Sequence, residues 1–196
     1  GRIGPEDRYI RGTGVEPGDR VFMLPSSGIH ANGLTDARAL ADRLPDGYDT
    51  VLSDDAKFGE TLLTPTPLYS NFVQTALDEG IRFKRLENMT GHGWRKIMRG
   101  LGEFTYRMTQ TAPNMPIFDF LQEQYGVSDQ DMYKVYNMGA GFAAYVKPEF
   151  VSPLKDIASD IGFDGAWDAG GVEEGPKQVI VEPLGIALSG STLAIR

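Results

Sequence analysis

The hydrophobic positions along this chain follow two spacings, one typical of buried strands and one typical of helices. Residues 20–24 form a short apolar run after the turn-forming sequence Glu-Pro-Gly-Asp, and this run predicts a buried strand. From Leu34 to Leu44 the apolar residues fall at helical spacing and stop before Pro45, which predicts a helix. The segment between them, SSGIHANG at 26–33, therefore joins a strand to a helix.

The other predicted elements follow from the same two patterns. Helices are expected from near Pro67 to Glu79-Gly80, over 116–126, over 129–136 and from Pro148 to Ile161. Strands are expected near 81–86, over 104–109 and over 141–146, and the glycine-punctuated tail, 167–195, is β-rich with its firmest strand at 178–182. These elements predict an α+β fold with a mixed β-sheet flanked by helices, because a β-rich tail argues against a purely parallel sheet.

Composition limits the classes of protein to which the chain can belong. Its 196 residues, 41% of them hydrophobic, suit one globular domain. No apolar run approaches the roughly 20 residues that cross a bilayer, and no N-terminal signal pattern occurs, so we expect no membrane partner. The net charge of −8 repels phosphate backbones and argues against nucleic acid. The lack of cysteine suits a cytoplasmic protein.

The residues before the first predicted strand have the composition of a connector. Residues 1–18 contain five glycines and two prolines, and the chain begins with glycine where a natural start would be methionine. We therefore divide the chain into a connector, 1–19, and one domain, 20–196, and we expect both to be part of a longer protein.

The first candidate site is the SSGIHANG loop, which holds one of the two histidines in the chain. The backbone N–H groups of Ser26, Ser27 and Gly28 could face an anion such as phosphate at the N-terminus of the following helix, with His30 as a titratable group at the rim. The alternative is an ordinary turn in which Asn32 and Gly33 adopt capping conformations and His30 points to water. Composition alone favours this second interpretation.

Two further glycine-containing segments are candidate sites. In TGHGW, 90–94, the glycines around His92 could allow a ligand close to the backbone, or Thr90 could simply cap a helix. A metal site using both histidines is disfavoured, since neither an H-x-x-x-H pair nor cysteine supports it. In NMGAG, 137–141, Asn137, Gly139 and Gly141 could shape a pocket wall, although glycine before a buried strand also marks a bulge or close packing.

Four segments taken in order resemble a known family. They are GVEPGDRVFMLPSSGIHANGL at 14–34, ETLLTPTPLY at 60–69, NMTGHGW at 88–94 and MYKVYNMGAGFAAYV at 132–146. Together they are similar to the C-terminal domain of the aminoimidazole ribonucleotide (AIR) synthetase family, the phosphoribosylformylglycinamidine cyclo-ligases, over residues 14–185. The resemblance implies the fold of that domain.

The resemblance also implies a function and a set of site residues. It implies a cytoplasmic, homodimeric enzyme of purine biosynthesis that uses ATP and Mg²⁺ to close the imidazole ring of formylglycinamidine ribonucleotide. A missing N-terminal domain would bind most of the ATP and metal, and 1–19 would connect to it. His30 would be catalytic, and no metal ligand is expected in this chain. The expected substrate- or phosphate-binding residues are Ser26, Ser27, Gly28, Asn32, Asn88, Thr90, Gly91, His92, Gly93, Asn137 and Gly139.

Two residues depart from the family pattern. Asn88 stands where the family usually has a histidine, and His92 replaces the middle glycine of a TGGG run. Asparagine can hydrogen-bond a substrate but cannot act as an acid or base near neutral pH. Two alternatives to the cyclo-ligase therefore stay open, which are ATP-dependent phosphoryl transfer to another small molecule and a domain that binds a ligand or assembles without catalysis.

Overall fold

Seven strands form one mixed sheet in the computed structural model, which describes residues 5–193. The strands are β1 (Arg20–Pro25), β2 (Arg85–Asn88), β3 (Phe104–Met108), β4 (Ala140–Val146), β5 (Trp167–Glu174), β6 (Gln178–Val181) and β7 (Ile186–Ser189). Their order across the sheet is β2-β4-β1-β5-β3-β6-β7. The β3–β6 pair is parallel and the other pairs are antiparallel, which confirms the predicted mixed sheet.

Six α-helices and several 3₁₀ turns connect the strands. The helices are α1 (Leu34–Ala41), α2 (Phe58–Leu63), α3 (Ser70–Asp78), α4 (Pro116–Tyr125), α5 (Asp129–Val135) and α6 (Val151–Asp160) among the described residues. The longest 3₁₀ segment is Gly93–Met98, and shorter ones are Glu6–Arg8, Gly47–Asp49, Pro148–Phe150, Glu182–Leu184 and Gly190–Thr192.

Helices cover both faces of this sheet, so β1 is buried on both sides. Phe22 and Leu24 belong to the hydrophobic core that α3 and α6 cover, while Val21 and Met23 belong to the core that α1, α4 and α5 cover. A strand that is buried on both faces is apolar at successive positions. This explains why residues 21–24 form a continuous apolar run.

Several element boundaries differ from those predicted from the sequence. β2 begins at Arg85, whereas 81–86 was expected, because the Ile81 N–H donates to the Ala76 carbonyl and closes the end of α3. Ile81 and Phe83 are buried against α3 and α6. Their alternating apolar spacing therefore resembles that of a strand, although they lie in a loop. α3 begins three residues after Pro67, and α1 ends at Ala41, three residues before the expected end. Helix α2 was not predicted.

The two ends of the chain are described in part. Residues 1–4 and 194–196 lie outside the described residues, so the predicted connector is described from residue 5 and the predicted β-rich tail as far as residue 193. Within the connector, Asp19 is buried and lies 2.9 Å from the Lys84 ammonium. This ion pair joins the end of the connector to the segment that precedes β2.

A close contact at Gly141 joins the sheet to the segment that precedes α3. The Tyr69 hydroxyl donates to the Pro25 carbonyl over 2.9 Å. A Cβ atom on Gly141 would lie 1.8 Å from the Tyr69 hydroxyl oxygen and 2.9 Å from the Pro25 carbonyl oxygen. The glycines at 137–141 were interpreted either as a pocket wall or as a bulge or close packing. For Gly141 the structure shows close packing.

We therefore expect Gly141→Ala to lower the free energy of unfolding by about 1–3 kcal/mol, because the added methyl group displaces Tyr69 from its bond to Pro25. Urea denaturation measures the change. Gly91→Ala is the matched control, since its Cβ would meet its nearest neighbour at 3.6 Å, an ordinary contact. Equal losses in the two variants would contradict the close approach at Gly141.

Candidate functional site

His30 folds back onto its own loop. Its backbone has the left-handed φ of 56°, which is uncommon for a residue other than glycine. Its half-buried ring accepts a hydrogen bond at Nε2 from the Ser27 N–H over 3.2 Å. An imidazole that accepts at Nε2 carries its proton on Nδ1. The ring is therefore a neutral group in a fixed orientation, and it does not simply point to water.

Two of the three backbone N–H groups that were expected to face an anion are bonded within the protein. The Ser26 N–H donates to the Gly139 carbonyl over 2.8 Å, and the Ser27 N–H is used by His30. The Ser27 hydroxyl donates to the Pro65 carbonyl over 2.8 Å. Gly33, with a φ of 72°, precedes α1. Only Gly28 of the three expected donors has no acceptor among the described residues.

Asn137 lies beneath this loop and holds it in place. Its completely buried side chain donates from Nδ2 to the Gly28 carbonyl over 2.8 Å. Its Oδ1 accepts from the Gly139 N–H over 2.9 Å and from the Ser26 hydroxyl over 3.1 Å. The backbone carbonyl of Asn137 accepts a hydrogen bond from the Trp94 indole N–H over 2.7 Å. The side chain of Asn137 therefore positions this loop, and its expected contact with a ligand stays a prediction.

Lys96 binds the start of the second candidate segment, TGHGW at 90–94. Its ammonium donates to the Asn88 carbonyl over 3.0 Å and to the Thr90 hydroxyl over 2.6 Å, and it lies 3.3 Å from the Glu87 carboxylate. Lys96 itself is 8% exposed, while Asn88 and Thr90 are exposed. The idea that the Thr90 side chain caps a helix is wrong, because this hydroxyl binds Lys96 and the residue at the N-cap is His92.

Gly93 allows the segment 90–94 to lie directly against the end of α5, while Gly91 faces Asn32 at an ordinary distance. A Cβ on Gly93 would lie 2.3 Å from the Tyr133 carbonyl oxygen, so only glycine fits beside α5. A Cβ on Gly91 would lie 3.6 Å from Asn32 Oδ1, and Asn32 Nδ2 donates to the Val135 carbonyl. His92 has a φ of 82°, a left-handed value that is uncommon for a residue other than glycine.

A cavity of about 560 Å³ opens beside Asn88. Asn88 is opposite Phe142 in the β2–β4 pair, and the Tyr69 ring stacks on Phe142 with centroids 5.2 Å apart. The His30 ring centroid lies 6.4 Å from that of Tyr69. The cavity is lined by Thr66, Pro67, Leu68, Tyr69, Ser70, Val73, Gln74, Asn88 and Phe142. Tyr69 therefore lies between the predicted catalytic histidine and a cavity of ligand size.

Burial keeps both polar rings near this cavity uncharged. Loss of hydration lowers the pKa of His30 below its ordinary value of 6.5, so the imidazole is neutral at pH 7. Burial also raises the pKa of the Tyr69 hydroxyl well above its ordinary value. The site therefore offers a proton acceptor, a neutral hydroxyl and the Asn88 amide, and among residues 5–193 no group of three metal-ligating side chains occurs.

Sequence reasoning missed Tyr69 and Lys96 as site residues. Tyr69 lies in the ETLLTPTPLY segment, whose proximity to His30 arises from the Pro25 contact. Lys96 lies in a 3₁₀ segment and has no local pattern that distinguishes it from a surface lysine. Only the tertiary structure places its ammonium under Asn88 and Thr90.

Comparison with protein families and curated proteins gives consistent matches. The family model described as AIR synthase related protein, C-terminal domain, matches residues 16–182. A phosphoribosylformylglycinamidine cyclo-ligase of Methanococcus maripaludis strain C6 is 35% identical over 155 residues, which are 79% of this chain and 44% of the relative. That of Methanothermobacter thermautotrophicus is 34% identical over 191 residues, 96% of this chain and 54% of the relative. The chain thus spans about half the length of these relatives.

Solved structures share the fold at low sequence identity. The hydrogenase maturation protein HypE, in a HypE–HypF complex, matches with a TM-score of 0.59 and 18% identity over 90% of this chain and 53% of that chain. T. maritima PurL complexed with FGAR matches with a TM-score of 0.57 and 13% identity over 96% of this chain and 30% of that chain. No helix within residues 5–193 has the length and hydropathy needed to cross a membrane.

The isosteric variant Asn137→Asp tests the role of Asn137. We expect it to lower the free energy of unfolding by about 1–3 kcal/mol, because a carboxylate cannot donate to the Gly28 carbonyl and would be buried beside it. Urea denaturation measures the loss. Asn71→Asp adds the same charge at an exposed position of α3 and should change stability by less than about 0.5 kcal/mol. Equal effects would contradict the positioning role.

The pH dependence of stability tests the neutral state of His30. Its folded pKa lies below its unfolded pKa, so its contribution is fully present above about pH 6.5 and is lost as pH falls toward the folded pKa. His30→Asn keeps a residue that tolerates positive φ but does not titrate. Urea denaturation at about pH 7.5 and about 5.5 should show the wild type losing more stability than His30→Asn. The reverse order would mean that folding favours the charged imidazole.

Proposed function

The chain belongs to the family of AIR synthase related protein C-terminal domains, as its motifs predicted, and we propose that it is the C-terminal domain of an ATP-dependent cyclo-ligase. The proposed reaction converts formylglycinamidine ribonucleotide to aminoimidazole ribonucleotide in purine biosynthesis. Relatives named phosphoribosylformylglycinamidine cyclo-ligase, aligned over 79–96% of this chain, support the proposal. The alternatives, phosphoryl transfer to another molecule and a domain without catalysis, have no comparable support.

The arrangement of His30 is the observation that carries the proposed chemistry. Ring closure requires proton movement at the attacking nitrogen and at the activated oxygen. A neutral imidazole near pH 7 can accept such a proton and return it. His30 has this state, a set orientation and a position beside Tyr69. We therefore propose His30 as the proton-exchanging residue of this domain.

The neighbouring cavity fits the proposed substrate class. Its volume of about 560 Å³ is in the range of small-molecule sites. We propose that the exposed Asn88 side chain hydrogen-bonds the substrate, a role that an amide can fill although it cannot transfer protons. Lys96 and Thr90 would then support this contact through the Asn88 backbone and the adjoining loop.

The residues of this chain do not by themselves fit Mg²⁺–ATP. The amides of Ser26 and Ser27, which were expected to face phosphate, are bonded within the protein. We propose that a separate N-terminal domain holds most of the nucleotide and the metal, as the greater length of the relatives allows. A cytoplasmic homodimer with residues 1–19 as the connector completes the proposed assembly. When bound, ATP would supply activation of the substrate oxygen.

The proposal is tested with a protein that contains this domain together with its N-terminal part. We expect ATP-dependent formation of aminoimidazole ribonucleotide, and we expect His30→Asn to lower kcat by about 100-fold or more because the proton acceptor is lost. Steady-state kinetics and thermal unfolding of the same samples separate catalysis from folding.

His92→Asn is the matched control, since it makes the same change at another residue with positive φ. We expect it to raise KM more than it lowers kcat. A larger loss of kcat in His92→Asn than in His30→Asn would move the proton-exchanging role to His92. Phosphorylation of a substrate without ring closure would instead contradict the proposal that the protein is a cyclo-ligase.

A further inference from the structure

A second cavity, of about 580 Å³, lies at the outer edge of β2. Its charged lining residues Arg85 and Glu87 are on the sheet face opposite to Asn88, because they pair with Tyr145 and Ala143 of the α1, α4 and α5 core, whereas Asn88 pairs with Phe142. The cavity extends round the strand edge to Ile10 and Leu86, which pack against the core that α3 and α6 cover. The lining residues are Ile10, Arg11, Gly12, Arg85, Leu86, Glu87, Arg99, Gly100 and Leu101. Neither the family motifs nor the proposed reaction uses this cavity.

The cavity is positively charged in a protein of net charge −8. Arg11, Arg85 and Arg99 line it, and Glu87 is the one acidic residue in the lining. Arg11 and Arg99 are exposed at its rim, so their guanidinium groups can reach a ligand. Such a local excess of cations attracts anions against the overall charge of the protein.

Arg85 forms the floor of the cavity and retains free donors. The residue is 6% exposed. Nη1 donates to the Ile97 carbonyl over 3.1 Å, and Nη2 donates to the Lys96 carbonyl over 3.1 Å and to the Glu87 carboxylate. A guanidinium has five N–H donors, so these contacts leave the Nε hydrogen and one Nη1 hydrogen without an acceptor among the described residues.

Gly100 exposes these donors to the cavity. A Cβ atom at Gly100 would lie 2.9 Å from Arg85 Nη1 and 3.5 Å from the Tyr106 hydroxyl oxygen. That hydroxyl is completely buried beside the Arg85 guanidinium, and Tyr106 does not line the cavity, so Arg85 is the group at Gly100 that a ligand can reach. The Lys177 ammonium donates a hydrogen bond to the Gly100 carbonyl over 3.0 Å, and this contact fixes the backbone at Gly100.

We propose that this cavity binds a small-molecule anion through a carboxylate or phosphate group. One ligand oxygen lies over Gly100 and accepts a hydrogen bond from the Arg85 guanidinium. Arg99 and Arg11 at the rim neutralise the remaining charge. Guanidinium groups suit this task because their planar N–H donors match the oxygens of carboxylate and phosphate. The volume allows a ligand larger than a single inorganic ion.

Calorimetric titration of the 196-residue chain with inorganic phosphate and, separately, with citrate tests the proposal at constant ionic strength. We expect saturable binding of at least one anion, and the stronger of the two identifies the group that the site prefers. Gly100→Ala and Arg99→Gln should each weaken this binding by roughly tenfold or more, since one fills the space beside Arg85 Nη1 and the other removes a rim cation.

Arg38→Gln is the matched control, because it removes an exposed arginine from α1 and should change binding by less than about twofold. Thermal unfolding shows whether each variant is folded, and Arg99→Gln tests the site if Gly100→Ala is not. The absence of saturable binding to the wild type would overturn the proposal. So would equal losses in Arg38→Gln and Arg99→Gln, which would indicate general charge attraction only.

Discussion

The buried amide of Asn137 is the interaction on which the geometry of the candidate site depends. A buried amide must find a partner for each polar atom, because an unpaired one costs about 1–3 kcal/mol. The partners of Asn137 come from Ser26, Gly28, Trp94 and Gly139, which lie on three separate segments. The side chain therefore fixes the 26–28 loop to the 137–139 segment, and the Asn137 backbone carbonyl joins Trp94 to the same point. Each of these segments carries residues that the motifs single out.

A cluster of three charged residues, Arg85, Glu87 and Lys96, fixes the backbone beside the edge strand β2. Glu87 lies between Arg85 and Lys96, and its side chain is 17% exposed. Such clusters add little net stability, because removing charges from water offsets their attraction. Their geometry is nevertheless specific. Lys96 holds the Asn88 and Thr90 loop, while Arg85 holds the carbonyls of Lys96 and Ile97 and stacks over Tyr145 at 5.1 Å.

The sequence predicts the parts of this fold that local physics decides. The apolar run at 20–24 and the helical spacing over 116–126 and 129–136 correspond closely to β1, α4 and α5. The strand near 81–86 was placed too early, because Ile81 and Phe83 are buried by helices and a short apolar run does not distinguish strand from buried loop. The roles of Tyr69 and Lys96 depend on contacts that form only in the folded protein. The spacing of residues along one segment cannot predict such contacts.

The contact between Ser27 and His30 relates the observed loop to the anion site that its sequence suggests. His30 Nε2 can accept either a proton or the Ser27 N–H, but not both. At 3.2 Å this hydrogen bond is at the long end of the usual range, so its loss costs little. When Nε2 takes a proton, the Ser27 N–H loses this acceptor. Proton uptake by His30 therefore frees one backbone donor of the loop, which couples the proposed proton exchange to the anion contact that the sequence of the loop suggests.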